Sequence, residues 1–131
     1  SDLAAAYARW AGARLATEEE WKKAARGIDG RIFTGGNRPP PEDSHWKGDA
    51  GMRECLLSPF GCLRLTDTAW QWTGSRADVV ADRRVVKGGA SPGALLDRKP
   101  SRRKTLDPKA RYYTVGFIVC KDLGGAPTGV K

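Results

Sequence analysis

The chain has 131 residues, 40% of them apolar and 29% charged, which suits one globular domain and leaves little room for two. No apolar run reaches the ~20 residues of a membrane span. The acidic start lacks the apolar stretch of a signal peptide, which favours a cytoplasmic chain without fixing the compartment. The unusual number is the charge. Lys and Arg number 23 against 15 Asp and Glu, a net +8, which points to a polyanion or acidic partner if the charge gathers on one patch.

Asp2 is placed to cap a first helix over residues 3–11, with Leu3, Tyr7 and Trp10 spaced to share one face. Gly12 ends it. Thr17 opens a second helix, where Thr17 and Glu20 match a capping box and three glutamates fill the first turn. Trp21, Ala24 and Ala25 give this helix a buried face, and Gly27 stops it. Asp29-Gly30 is a turn, and Ile32-Phe33 reads as a short extended piece. Residues 35–54, rich in Gly, Pro, Asp and Asn, read as a long irregular loop. In Ala69-Trp70-Gln71-Trp72-Thr73 the alternation puts Trp70 and Trp72 on one face of a strand. Val85-Val86 leads into Gly88-Gly89. Residues 90–114 show little periodicity, Val115–Cys120 reads as a terminal strand, and the tail 124–131 is expected to fray. Two early helices, short scattered strands and long loops make the fold α+β, over a domain of residues 1–123. Tryptophans supply its frame.

The charge is not spread evenly. Residues 1–40 carry a net +2, residues 41–73 a net −2, and residues 74–131 the whole excess of +8. The densest part runs from Arg98 to Arg111, with seven basic residues against Asp107. It is either a solvated loop face or a ligand-contacting surface. No zinc-finger, RNP or KH pattern accompanies it, so nucleic acid is not the favoured partner.

Cysteine and histidine counts narrow the chemistry. The cysteines are Cys55, Cys62 and Cys120, and no CxxC pair offers a structural zinc site. A Cys55–Cys62 bridge is compatible with the spacing. His45 is the only histidine. One histidine cannot build a two-His-one-carboxylate iron site, and no nucleophile signature surrounds it. No catalytic residue and no metal site is therefore assigned.

Several blocks together resemble a known family. Trp10 to Gly27, with Arg14, Leu15, Thr17, Glu20, Trp21, Ala24, Ala25 and Arg26, resembles the "WAGKRLPTEAEWEKAARG" signature of the formylglycine-generating-enzyme/sulfatase-modifying-factor superfamily. Asp29-Gly30-Arg31 with Gly36-Asn37, Ser58-Pro59-Phe60-Gly61 through Trp70-Gln71-Trp72-Thr73, Val85 through Ser91, and Arg103, Asp107-Pro108, Arg111 and Gly116-Phe117 resemble its later blocks, in order. The resemblance covers residues 2 to 120 and implies a variant of the C-type lectin fold with short antiparallel strands. It implies scaffold roles for Trp10, Trp21, Trp70, Trp72, Gly88, Gly89 and Phe117. The family's opening strands have no counterpart here, so a minimal version or a piece of something longer is expected.

The departures from the family bear on activity. In its oxidase members two cysteines shortly after the glycine pair bind copper, and such chemistry needs thiolates. Residues 90–115 hold no cysteine, and Gly93 and Arg98 stand about where that pair would be. The iron-dependent sulfoxide-synthase branch draws its histidines from a separate domain. Calcium is also disfavoured, because the family's Glu is Gln71 here, leaving Asn37 and Asp67 as the remaining oxygen donors. No cofactor is expected, and no enzyme activity.

The expected function is then a non-catalytic recognition module, part of a larger bacterial sensor, defence or effector protein. Its binding surface would be the 90–114 region, through Arg98, Arg102, Arg103, Lys104, Lys109, Arg111, Tyr112 and Tyr113. Arg and Tyr are common binding anchors, and Tyr adds flat amphipathic area. The expected partner is a protein or other acidic ligand, not a membrane. Three alternatives stand beside it. One is a variable protein of a diversity-generating retroelement, whose relatives diversify this stretch. The others are a degenerate oxidase relying on a Cys55–Cys62–Cys120 cluster, and a polyanion or nucleic-acid binder.

Overall fold

The computed structural model describes residues 1–40, 57–63, 65–66, 69–78, 82–89 and 98–123. Helix α1 spans Asp2–Trp10, strand β1 Arg14–Leu15 and helix α2 Glu18–Arg26. Strands β2 (Trp70–Asp78), β3 (Arg83–Lys87), β4 (Lys104–Leu106), β5 (Val115–Phe117) and β6 (Val119–Cys120) follow. No helix is long and apolar enough to cross a membrane among the described residues.

The strands form a four-stranded sheet in the order β4-β3-β2-β5 and a separate β1-β6 pair. β2 runs antiparallel to β3, with Gln71 opposite Lys87 and Trp72 opposite Val86. β4 adds antiparallel to β3. β5 runs parallel to β2, with Trp70 opposite Val115 and Trp72 opposite Phe117. The expectation of antiparallel strands therefore fails at this pair.

Strand alternation on β2 divides the core between two faces. Trp70 and Trp72 point to one side and pack with Ala4, Ala8, Leu15 and Val86. Gln71 and Thr73, also buried, point to the other. There Trp21 and Ala25 of α2 pack with Ala16 and Leu65. The sheet is thus covered by α1 on one face, over both tryptophans of β2, and by α2 on the other.

α2 follows its sequence signals. Thr17 Oγ1 accepts from the Glu20 N–H at 3.2 Å, the Glu20 carboxylate accepts from the Thr17 N–H at 2.9 Å, and Gly27 ends the helix at φ 72°. α1 departs from them. Ser1, not Asp2, is its N-cap, with no side-chain cap bond. The face carrying Leu3, Tyr7 and Trp10 is exposed, Trp10 to 81%, and the buried residues are Ala4 and Ala8. Alanine lets the helix lie close against the two tryptophans, and the larger side chains are left outside. Ile32-Phe33 forms no strand, only a bridge from Phe33 to Gly36. Val115–Cys120 is not one strand: Ile118 separates β5 from β6, which belong to different sheets. The stretch expected to lack periodicity holds β4. The loop 41–54 with His45, together with Asp67, Gly93 and the tail 124–131, lies outside the described residues.

Candidate functional site

The basic segment does not form one uniform surface. Arg98 is buried, at 4% exposure, and so is Pro100 beside it, so Arg98 belongs to the interior rather than to a contact face. Arg102 is exposed. Arg103 reaches back to α2, where its Nη1 lies 3.5 Å from Glu18 Oε2. Lys104 holds its Nζ 5.3 Å from the centre of the Trp70 ring, a cation–π contact. Lys109 and Arg111 are exposed and have no side-chain partner among the described residues. The Lys109 N–H donates to Asp107 Oδ1 at 2.9 Å, so the Asp107 turn fixes its backbone. Tyr112 lies 6.1 Å from the Trp72 ring, and Tyr113 is fully exposed. The expected set therefore splits. Arg98 goes inward, Arg103 and Lys104 are engaged with the frame, and Lys109, Arg111, Tyr112 and Tyr113 form an outward corner.

That corner borders a groove of about 350 Å³ between α1 and β5, lined by Leu3, Ala4, Trp72, Tyr112, Val115 and Phe117. Exposed aromatics continue it. The Tyr7 ring stands 5.7 Å from Phe117 and 5.6 Å from Trp10. Trp10 and Phe117, expected in scaffold roles, are exposed. Trp21, Trp70, Trp72, Gly88 and Gly89 are buried.

Sequence reasoning missed a buried charge on the other face. Lys87 is fully buried. Its Nζ has no hydrogen-bond partner among the described residues and lies 3.8 Å from Glu18 Oε1 and 5.6 Å from the Trp21 ring centre. Burial pulls the ammonium down to about 8, against the raising effect of Glu18. The reason lies in the strand pairing, which no local pattern announces: Lys87 stands opposite Gln71, on the face turned to α2.

The donors that copper or calcium would use do not come together among the described residues. Cys62 and Cys120 are free thiols packed against the α2 core. Burial pushes the Cys120 thiol up, the reverse of what a copper-binding thiolate needs. Cys55 lies outside the described residues, and with it both the Cys55–Cys62 bridge and the three-cysteine cluster. Both polar atoms of the Gln71 amide are engaged: its Oε1 accepts from Trp21 Nε1 at 2.7 Å and its Nε2 donates to Leu65 O at 3.1 Å. Asn37 Oδ1 accepts from the Ile32 N–H at 3.0 Å. No group of three or more His, Cys, Asp or Glu is placed to hold a metal ion among the described residues.

Comparison with known proteins agrees with this frame. A family model described as a sulfatase-modifying factor enzyme 1-like domain matches residues 2–123. Inactive C-alpha-formylglycine-generating enzyme 2 from Bos taurus is 34% identical over 149 aligned residues, covering 96% of this chain and 49% of that protein. The formylglycine-generating enzyme of Thermomonospora curvata (strain ATCC 19995) is 48% identical over 88 residues, covering 53% of this chain and 29% of that protein. Hercynine oxygenase from Mycolicibacterium smegmatis is 36% identical over 83 residues, covering 55% of this chain. The chain spans about half the length of the inactive enzyme it matches. It belongs to the sulfatase-modifying factor, or formylglycine-generating-enzyme, family.

Proposed function

We propose that this chain is a non-catalytic recognition domain that binds an acidic protein through the corner formed by Lys109, Arg111, Tyr112 and Tyr113. One observation carries the reading. Lys109 and Arg111 are exposed cations without a side-chain partner among the described residues, beside two exposed tyrosines. Arg and Tyr together suit a binding anchor, and the charge draws an acidic partner on. The similarity to proteins named as inactive over nearly the whole chain supports the non-catalytic half of the reading.

The test uses a poly-glutamate peptide as probe, across a salt series, against the wild type and Lys109→Glu/Arg111→Glu. Binding that weakens with salt and is lost in the variant supports the reading. No binding, or binding the variant keeps, removes it. Equal or tighter binding of duplex DNA with a steep salt slope moves the domain to a general polyanion binder. A copper titration with a thiol-peptide oxidation assay addresses the enzymatic reading, and turnover there would overturn the non-catalytic one.

A further inference from the structure

We infer that the outer edge of β5, with the groove beside it, is a docking site for an extended acidic segment of the partner polypeptide, added to the sheet as a further strand. The inference rests on the acidic partner proposed above and names the shape of its binding element.

The backbone comes first. β5 ends the sheet order, so its outer edge is unpaired among the described residues. The Trp70 N–H donates to Thr114 O at 2.8 Å, with Trp70 opposite Val115 in parallel register. In a parallel pair, alternate residues turn their N–H and C=O toward the neighbour and away from it. Gly116 therefore serves β2, while the Val115 C=O and the Phe117 N–H and C=O face the free edge. The Val115 N–H is taken by Tyr112 O at 3.3 Å. An edge with such groups is a template for strand addition.

The side chains follow. Val115 and Phe117 line the groove together with Leu3 and Trp72. A strand added at β5 places alternate side chains on this same face, over Leu3 and the ring of Tyr7, which is 50% exposed. Four large apolar residues exposed in continuity, Leu3, Tyr7, Trp10 and Phe117, exceed what a surface leaves uncovered without a use. The charge at the groove selects the occupant. Arg111 lines it, and the exposed Lys109 directly precedes the lining Ala110 in the chain, so an occupant with Asp or Glu flanking its apolar residues meets opposite charge. A second copy of this chain, at +8, meets like charge.

The test selects a random-peptide display library on the 131-residue chain. The expected consensus alternates apolar residues and carries flanking Asp or Glu. The selected peptide, made synthetically, is then titrated with the wild type, Leu3→Asp, Tyr7→Asp and Lys109→Glu/Arg111→Glu, and amide exchange is read with and without it. Leu3 and Tyr7 are exposed, so these variants fold, and circular dichroism checks it. Each is expected to weaken binding about tenfold, and the peptide is expected to slow exchange at the Phe117 amide. Binding that the charge variant abolishes while Leu3→Asp, Tyr7→Asp and Phe117 exchange are unmoved overturns strand docking and leaves the acidic partner standing. Binding that ignores the charge variant removes the acidic partner itself. No enriched sequence overturns the inference. So does a dimer dispersed by Tyr7→Asp, and so does a longer natural polypeptide whose Phe117 amide is protected without added peptide.

Discussion

Trp21 Nε1 donates to Gln71 Oε1 at 2.7 Å, and this buried bond ties α2 to the middle of the sheet. The same amide donates from Nε2 to Leu65 O at 3.1 Å. An ionised carboxylate, which only accepts, cannot do both. Gln71→Glu removes the donor to Leu65 and buries a carboxylate. The expected loss is about 2–4 kcal/mol at neutral pH, read by urea denaturation. The new carboxyl is held above its unfolded value by burial, so its cost should shrink as pH falls and the group protonates. A variant as stable as wild type at pH 7 would show that the amide bonds contribute little.

Lys87 gives the chain an alkaline signature. Its ammonium is pulled down to about 8, mainly by burial, from an ordinary 10.5. Between those values the unfolded chain binds more protons than the folded one, so stability rises with pH across that window. The full effect is on the order of 3 kcal/mol. Comparing wild type with Lys87→Met isolates it from other groups titrating there. The difference in unfolding free energy between the two proteins should change with pH from 8 to 10 and be flat from 6 to 7. A difference that is flat throughout contradicts the assignment.

Gly88 and Gly116 should respond oppositely to alanine. Gly88 sits at φ +112°, where a Cβ would lie 2.7 Å from Leu65 O and 3.0 Å from Ala69 O. Backbone carbonyls cannot step aside cheaply, and Gly88→Ala should cost about 3 kcal/mol or more. A Cβ at Gly116 meets nothing within 4 Å. Gly116→Ala should stabilise β5 by about 0.5 kcal/mol through the unfolded chain. Thermal melts of both variants decide it.

Arg98 and Arg111 look alike in sequence and should separate by experiment. Arg98→Glu reverses a buried charge and should lower stability by about 3 kcal/mol. Arg111→Glu alters an exposed side chain and should leave the melt within ~0.5 kcal/mol of wild type. Its effect should fall on acidic-ligand association and on the salt dependence of that rate.

The legible parts of this fold were local. The Thr17–Glu20 capping box, the Gly27 stop and the Trp70/Trp72 alternation are encoded within a few residues, and each stands as read. α1 misled because its large residues repeat at helical spacing while its buried face consists of alanines, which carry little apolar signal. The large residues of α1 mark an exposed face, not the buried one. The parallel register of β5 on β2 and the burial of Lys87 depend on residues far apart in the chain, and no local pattern announces either. The charged corner was only half legible. Composition located the basic residues, but the pairing of Arg103 with Glu18 and the burial of Arg98 required the fold.

The β1-β6 pair sets the order in which the chain can be finished. Arg14 lies opposite Cys120, and its guanidinium binds Asp122 across 108 residues of sequence, with a 2.8 Å contact. As the chain leaves the ribosome, β1 cannot pair with β6 until the residues between them have been made. Closing so long a loop comes late, after α2 and the β2-β3 hairpin have formed from nearer contacts. Until β6 emerges the Arg14 guanidinium lacks its Asp122 partner, so the β1-β6 pair is the last of the described strand pairings to become available.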